Sequence, residues 1–305
     1  YANRTGSENV AVGSYALDAN TTGTRSTAVG AFALTSPTTA NDNTAVGYAA
    51  LENNTTGYYN TAVGRDAMED NTTGNNNASL GTFALEANTT ASDNTACGYA
   101  AMVNNTEGFQ NTALGSNSLR TNTTGDNNVA VGYGALYSAT TANDNTAVGR
   151  DALNDNTTGT RNTAVGAYSL DANTSANDNT AFGYQTLTNL NAGNSNTAVG
   201  SNALQECTAS DNTAVGMHAL KATTSGAYNT GVGRRALESN TTGDQNTAIG
   251  GLALDANTTA DNNTAIGYNS LSANQTGTRN TAVGSQSLDS CTSSDNKAVG
   301  CEALT

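Results

Sequence analysis

The sequence has no tryptophan, one proline, one histidine and four phenylalanines, and only 12% of its 305 residues are charged. Leu, Ile, Val and Phe are also scarce, below the roughly 20% at which a chain of high net charge is suspected of disorder. The few apolar residues nevertheless recur at fixed positions, which a disordered chain has no reason to maintain. We therefore expect an ordered chain with little material for a conventional hydrophobic core.

Basic residues are few, because 11 Lys and Arg stand against 25 Asp and Glu and leave a net charge of -14. Nucleic acids and anionic membrane surfaces both select for clustered cations. No apolar run approaches the ~18 residues of a membrane span. We expect no nucleic-acid partner and no membrane insertion. Because the sequence lacks an initiator Met and opens within a repeat, we also expect a processed product or part of a longer protein.

One stretch, Asn43 to Leu51 with the sequence Asn-Thr-Ala-Val-Gly-Tyr-Ala-Ala-Leu, returns eighteen times with small changes. Its glycine defines position 5 of each repeat. These glycines are Gly13, Gly30, Gly47, Gly64, Gly81, Gly98, Gly115, Gly132, Gly149, Gly166, Gly183, Gly200, Gly216, Gly233, Gly250, Gly267, Gly284 and Gly300. They are 17 residues apart, except for two steps of 16 that end at Gly216 and Gly300. A fixed short period of this kind indicates a repeat architecture.

Positions 1 to 4 predict a short β-strand, and positions 8 and 9 predict a second one. Position 2 is Thr in fourteen repeats, position 3 is Ala in sixteen, position 4 is always apolar, and position 9 is Leu in sixteen. By the alternation of a strand, Thr44 and Val46 share one face and Ala45 lies on the other. Because Val and Leu are the larger apolar residues, we expect positions 4 and 9 to form the core. The small residues at positions 3 and 8 are then expected to face another chain.

Glycine and asparagine complete the pattern. The recurrent Gly at position 5 predicts a positive φ or a close backbone approach. Asn at positions 1 and 12 is expected at left-handed corners, stacking from coil to coil through its amide. The predicted fold class is all-β, a parallel β-solenoid (β-roll) of about eighteen 17-residue coils, forming a single repeat domain over residues 1–305. Since so thin a core is marginal, we expect a homo-oligomer, side by side, head to tail, or both.

The Asn-Thr-Ala-Val-Gly motif, as in Asn60 to Gly64, resembles the head repeats of trimeric autotransporter adhesins of the YadA type. Similar Thr-Ala-Val-Gly-Tyr-x-Ala-Leu and Asn-Thr-Thr-Gly strings occur in phage tail-fibre-like and bacterial surface proteins. The resemblance covers the whole chain, although the period of 17 is longer than that of the adhesin heads. It implies a left-handed parallel β-roll, three chains side by side, exposed outside the cell.

Candidate chemistry is sparse. The only histidine, His218, lies at a variable position, and we expect a surface substitution there. Six aspartates precede position 1 and raise the possibility of calcium sites: Asp42, Asp93, Asp144, Asp178, Asp211 and Asp295. Within one chain these carboxylates are expected to lie too far apart to share an ion, so we expect Asx turns or a solvated edge. The chain is predicted not to be an enzyme, with no catalytic, cofactor-binding or metal-binding residues and no cofactor.

The four cysteines form no metal-site pattern. Cys97 replaces the Val of position 4 and is expected in the core. Cys207 and Cys291 occupy the same position of the two shortened repeats, at a separation too large for a disulfide. Cys301 lies near the C-terminus.

Three surface interpretations stay open. A Thr array suggests ice binding, although position 2 is expected to face inward. Tyrosines at position 6 form either a sugar-binding stripe or scattered surface aromatics: Tyr48, Tyr99, Tyr133, Tyr184 and Tyr268. Asn-x-Thr sequons recur at position 12, but inward-stacked asparagines would be unavailable for glycosylation: Asn20, Asn71, Asn88, Asn122, Asn156 and Asn240.

The sequence favours a structural extracellular fibre or filament, with adhesion as its use, at a cell surface or on a virion. Its expected partners are copies of itself, surface glycans or a host receptor. A receptor-binding or spacer segment of a phage tail fibre is the alternative. An ice- or carbohydrate-binding module is the third.

Overall fold

A computed structural model of the chain describes residues 3–304, and it confirms the parallel β-solenoid. Each repeat contributes one three-residue strand at positions 2 to 4, and the described residues contain no helix. The chain divides into two compact units, Tyr1–Thr158 and Gly159–Thr305.

Each unit contains nine strands. The first has β1 (Val10–Val12), β2 (Thr27–Val29), β3 (Thr44–Val46), β4 (Thr61–Val63), β5 (Ala78–Leu80), β6 (Thr95–Cys97), β7 (Thr112–Leu114), β8 (Val129–Val131) and β9 (Thr146–Val148). The second has β10 (Thr163–Val165), β11 (Thr180–Phe182), β12 (Thr197–Val199), β13 (Thr213–Val215), β14 (Thr230–Val232), β15 (Thr247–Ile249), β16 (Thr264–Ile266), β17 (Thr281–Val283) and β18 (Lys297–Val299).

Within each unit, consecutive strands pair in parallel with identical repeat positions side by side. Between β3 and β4, for example, Ala45 pairs with Ala62. The shortened repeats keep this register, since Thr197 still pairs with Thr213, so the missing residue is absorbed in a turn. Like residues therefore form ladders, as the period predicted.

The interior is lined by alanine rather than valine, and this corrects the prediction that position 4 belongs to the core. Ala45 and Ala164 at position 3 are fully buried, as are most residues at position 8. The position-4 residues face outward, where Leu80 is 53% and Phe182 56% exposed. Position 9 is buried as predicted, with Leu51 and Met68 fully inside. The small residues at positions 3 and 8 are therefore core residues and not a surface for another chain.

The width of the coil explains this inversion. Gly231 replaces the usual Ala at position 3, and a Cβ built there would lie 3.2 Å from Cδ1 of Leu220, a position-9 residue. The same Cβ would lie 3.2 Å from the carbonyl oxygen of Ala236. The leucine side chain thus fills the space beneath the strand, and a valine at position 3 would overpack it.

The predicted second strand is a turn. Residues at positions 7 and 9 have left-handed backbones, such as Asp66 with φ of 54° and Met68 with φ of 52°, and position 17 is left-handed as well. The asparagines at positions 1 and 12 are not left-handed, so their predicted corner conformation is wrong. Leucine rarely adopts this conformation, and the sequence therefore gave no sign of it.

The prediction for position 5 is confirmed in both of its forms. Gly64 has a φ of 143°, a region that L side chains rarely adopt. A Cβ built on Gly64 would also lie 2.6 Å from the carbonyl carbon of Gly81 in the next coil. Glycine is therefore required at this position by backbone conformation and by the closeness of successive coils.

The predicted asparagine stacking is also confirmed. At position 12, Asn71 Nδ2 donates to Asn54 Oδ1 at 2.8 Å. At position 1, the backbone N–H of Asn60 donates to Asn43 Oδ1 at 2.9 Å, and Asn60 Nδ2 donates to the Gly74 carbonyl at 2.8 Å. These amides satisfy polar groups inside a core that has few apolar side chains.

Candidate functional site: the outer strand face

The outer strand face of each unit consists of the side chains at positions 2 and 4 of its nine strands. In the second unit, position 2 is threonine in eight consecutive strands: Thr163, Thr180, Thr197, Thr213, Thr230, Thr247, Thr264 and Thr281. In the first unit the threonines are interrupted by Ala78 and Val129. Position 2 lies on the same face of the strand as position 4, whose side chains point outward. The prediction that position 2 faces inward is therefore wrong.

The threonines of the strands differ from those of the turns. At position 13, Thr55 Oγ1 donates to the Thr72 carbonyl of the next coil at 3.0 Å, and Thr72 repeats this bond to Thr89. Over residues 3–304, the strand hydroxyls such as Thr44 Oγ1 have no hydrogen-bond partner in the chain. These hydroxyls are therefore available to water or to a ligand.

The second row of side chains on the outer strand face, at position 4, is apolar. Position 4 is mostly Val, and the larger residues Leu114, Phe182 and Ile249 are 40%, 56% and 41% exposed. Among all residues at positions 2 and 4, only Lys297 is charged. A chain of net charge -14 thus keeps acidic residues off this face, which is typical of a surface covered by another molecule.

A notch interrupts the outer strand face of the first unit at β5. Ala78 replaces threonine there, and the neighbouring residues Thr61 and Thr95 are both exposed. The depression measures about 320 Å³ and is lined mainly by apolar atoms, including those of Leu80 and Cys97. Beneath it, the buried hydroxyl of Ser79 has no hydrogen-bond partner.

The sequence contained a signal for this face that our predictions missed. Position 3 never exceeds a serine in size, as in Ser79, whereas position 4 ranges from Cys97 to Phe182. Tolerance of large size differences is typical of a surface, since a packed interior resists them. The variation among repeats, rather than hydrophobicity, identifies the outward position.

The predicted aspartate edge contains ion pairs. Arg25 donates from Nε and Nη2 to the two carboxylate oxygens of Asp42, at 2.6 and 2.8 Å, with both residues at position 17 of successive coils. Arg279 and Asp295 form a similar pair at 2.7 Å. Hydrogen bonding from each arginine lowers the pKa of its aspartate below the ordinary value. These aspartates are engaged with arginine rather than grouped around a cation.

His218 lies in a similar surface arrangement. Its Nδ1 is 3.2 Å from Glu238 Oε1, and Arg235 also contacts the carboxylate of Glu238. Among residues 3–304, no three His, Cys, Asp or Glu side chains form a group that could hold a metal ion.

The four cysteines are free. Cys97 lies half-exposed on the outer strand face, which corrects its predicted place in the core. Cys207 and Cys291 occupy equivalent places, since Asn212 Nδ2 and Asn296 Nδ2 contact their sulfurs at 3.8 and 3.2 Å. Burial raises the pKa of the Cys207 thiol to about 11.

The tyrosines at position 6 are exposed, from 51% for Tyr48 to 58% for Tyr268. Several of them pair with aromatic rings at position 7, as Tyr48 does with Phe32 at 5.7 Å between ring centroids. The Arg65 guanidinium lies between Tyr48 and Phe83, at 5.9 and 5.8 Å from their ring centroids. These contacts tie successive coils together and occupy one side of the rings.

The sequon asparagines are buried as predicted, each at most 2% exposed: Asn20, Asn71, Asn88, Asn122, Asn156 and Asn240. No helix long and apolar enough to cross a membrane occurs in residues 3–304. No protein-family model matches the sequence, and comparison with curated proteins likewise gives no match. The resemblance to adhesin heads stays a prediction from the repeat.

Proposed function

We propose that the chain is a structural protein of an extracellular fibre, in which copies pack side by side through their outer strand faces. Adhesion at a cell surface or from a virion is its use. The observation that carries this proposal is the outward-facing Thr and Val ladder, in which Lys297 is the only charged residue over residues 3–304.

The period of the ladder favours a copy of the same chain as the partner. Side chains recur along each outer strand face at about 4.8 Å, the spacing of hydrogen-bonded strands. A second copy presents ridges and grooves of the same spacing, so every coil makes an equivalent contact. Threonine hydroxyls both donate and accept hydrogen bonds, and two facing threonine ranks therefore satisfy each other.

The area of the face is consistent with such a contact. Nine strands of three residues cover a surface of about 10 by 43 Å, or about 430 Å² for one unit. A stable protein interface buries about 800 Å² on each partner. Each unit face supplies about half of this value, so a lasting contact has to engage most of the strands of the chain.

Electron microscopy of the purified chain tests the proposal. We expect fibres, or laterally associated bundles that grow with protein concentration and persist in high salt, because the contact is uncharged. Separate single-chain particles at every concentration would contradict it.

Ice binding is a second candidate that one specific observation favours. The eight consecutive threonines of the second unit form a regular outward array with free hydroxyls, and the earlier objection that position 2 faces inward does not hold. The side chain of Phe182 interrupts the flatness of this array. Measured thermal hysteresis that is lost on substituting Thr230→Lys would establish ice as the ligand.

A further inference from the structure

We propose that the packing of outer strand faces has a fixed stagger, set by insertion of Phe182 of one copy into the notch around Ala78 of a second copy. The inference rests on the proposed side-by-side association and names the contact that determines its register.

The projecting residue of this contact, Phe182, is unique in the sequence. Phe182 is the only aromatic residue at position 4 in the eighteen repeats, and 56% of its surface is exposed. Its strand neighbours in the ladder, Val165 and Val199, are both smaller and half-buried. The phenylalanine ring therefore projects farther from the strand than the valine side chains on either side of it.

The notch is equally unique. Ala78 is the only alanine at position 2, where fourteen repeats have threonine. The loss of the threonine γ atoms, together with a small Cys97 beside the protruding Leu80, leaves the depression of about 320 Å³. Since an apolar cavity of about 150 Å³ binds benzene, this space is large enough for one aromatic ring.

Sterics connect the two features. When two flat ladders approach, a phenylalanine above a valine rank holds the faces apart unless the opposite face has a depression where the ring lies. A gap of even 0.5–1 Å forfeits much of the dispersion energy along the whole face. The register that places Phe182 in the notch is therefore the one in which the remaining strands touch.

Chemistry favours the same contact. The lining atoms of Val63, Leu80 and Cys97 are apolar, and aromatic rings contact sulfur favourably. Each copy has one aromatic projection and one notch. In a heterologous contact, only the copies at the two ends of a row keep an unused projection or notch, so association continues into an open fibre.

Cross-linking tests the contact with the native thiol of the notch. In a chain that keeps Phe182 and carries Cys291→Ser and Cys301→Ser, a ladder neighbour of the phenylalanine is replaced, by Val165→Cys or by Val199→Cys, and the protein is oxidised mildly so that two thiols form a disulfide. For one of the two variants we expect a dimer on a non-reducing gel, with a disulfide between Cys97 and the introduced cysteine found by peptide mass spectrometry, because Cys97 lies one strand from Ala78 just as each valine lies one strand from Phe182. The matched control is Ile249→Cys, an exposed position-4 residue in the same unit, for which we expect at least tenfold less dimer.

Filling the notch is the second measurement, with the native phenylalanine in place. Ala78→Leu is expected to lower the assembled fraction severalfold while circular dichroism stays unchanged, since residue 78 is exposed. Combining it with Phe182→Ala should restore assembly, because both the projection and the notch are then gone.

The outcomes separate the two proposals. If the parent assembles but neither Val165→Cys nor Val199→Cys cross-links better than Ile249→Cys, and Ala78→Leu has no effect, the stagger is wrong and side-by-side association stands. If the parent is a single chain under all conditions, both are wrong.

Discussion

Ala164 and Val165 are neighbours in β10 and lie on opposite sides of it: Ala164 is fully buried, and Val165 is half-buried on the outer strand face. Their roles are the reverse of what hydrophobic size suggests. The interior admits a methyl group there, and the larger side chain is left for the surface. The inversion determines what the chain can contact, since it places an aliphatic and hydroxyl ladder outside.

Aspartate substitutions at these two residues test the inversion. Ala164→Asp is expected to destabilise the second unit by about 3 kcal/mol or more, because it buries a charge without a partner in a space that fits alanine. Val165→Asp should cost less than about 1 kcal/mol in a dilute, unassembled sample. Urea denaturation followed by circular dichroism measures both. Equal losses would show that the strand has been assigned to the wrong face.

Much of the fold was predictable from the sequence, because period, strand and glycine signals agree. The strand period of two correctly grouped Thr44 with Val46, but alternation alone does not say which side is inside. The answer depends on the depth of the coil, which the leucine side chain fills, as the contact of Leu220 beneath Gly231 shows. The notch at Ala78 was not predictable, since it needs that orientation first.

The buried amide ladder is expected to carry a measurable part of the stability. Asn71→Ala removes a side chain that donates to Asn54 Oδ1 at 2.8 Å and to the Gly74 carbonyl at 3.1 Å. The Gly74 carbonyl keeps its bond from Asn60 Nδ2, whereas Asn54 Oδ1 loses its donor, and leaving this buried acceptor unpaired should cost about 1–3 kcal/mol. Thr56→Ala, at an exposed turn position, is the matched control and should change the urea midpoint little. An equal shift of the urea midpoint for both variants would show that the buried amide ladder does not contribute to stability as proposed.

Neutralising one carboxylate of an acidic cluster is expected to increase the stability of the fold in a pH-dependent way. Partial burial, and then repulsion from Asp66, Asp70, Glu52 and Glu86, raises the pKa of Glu69. A raised carboxyl pKa means that the folded state penalises the charged form, a cost that is present at pH 7 and disappears as the pH falls below the unfolded value near 4.3. Glu69→Gln should therefore raise the thermal midpoint at pH 7 and leave it nearly unchanged at pH 3. A gain of the same size at both pH values would point to another cause.

Thiol labelling gives a separate check on orientation. At pH 8 in the native protein, the half-exposed Cys97 and the exposed Cys301 are expected to react with iodoacetamide. Cys207 should stay unmodified, because it is buried and its thiol, with a pKa of about 11, is protonated at that pH. Peptide mass spectrometry after short exposure reads each site. Protection of Cys97 in dilute protein would place position 4 inside, whereas protection that appears only at high concentration would mark an interface.

Sedimentation velocity tests the central claim, that copies associate through the outer strand face. The parent is compared with Val199→Lys/Val232→Lys, which adds charge to that face, and with Thr242→Lys/Thr259→Lys, which adds the same charge at turn position 14. We expect the parent and the turn variant to sediment as species larger than the 30.7 kDa chain. The strand variant should sediment as a single chain with an unchanged circular dichroism spectrum. A parent that remains a single chain, or a strand variant that assembles as well as the turn variant, would contradict the account.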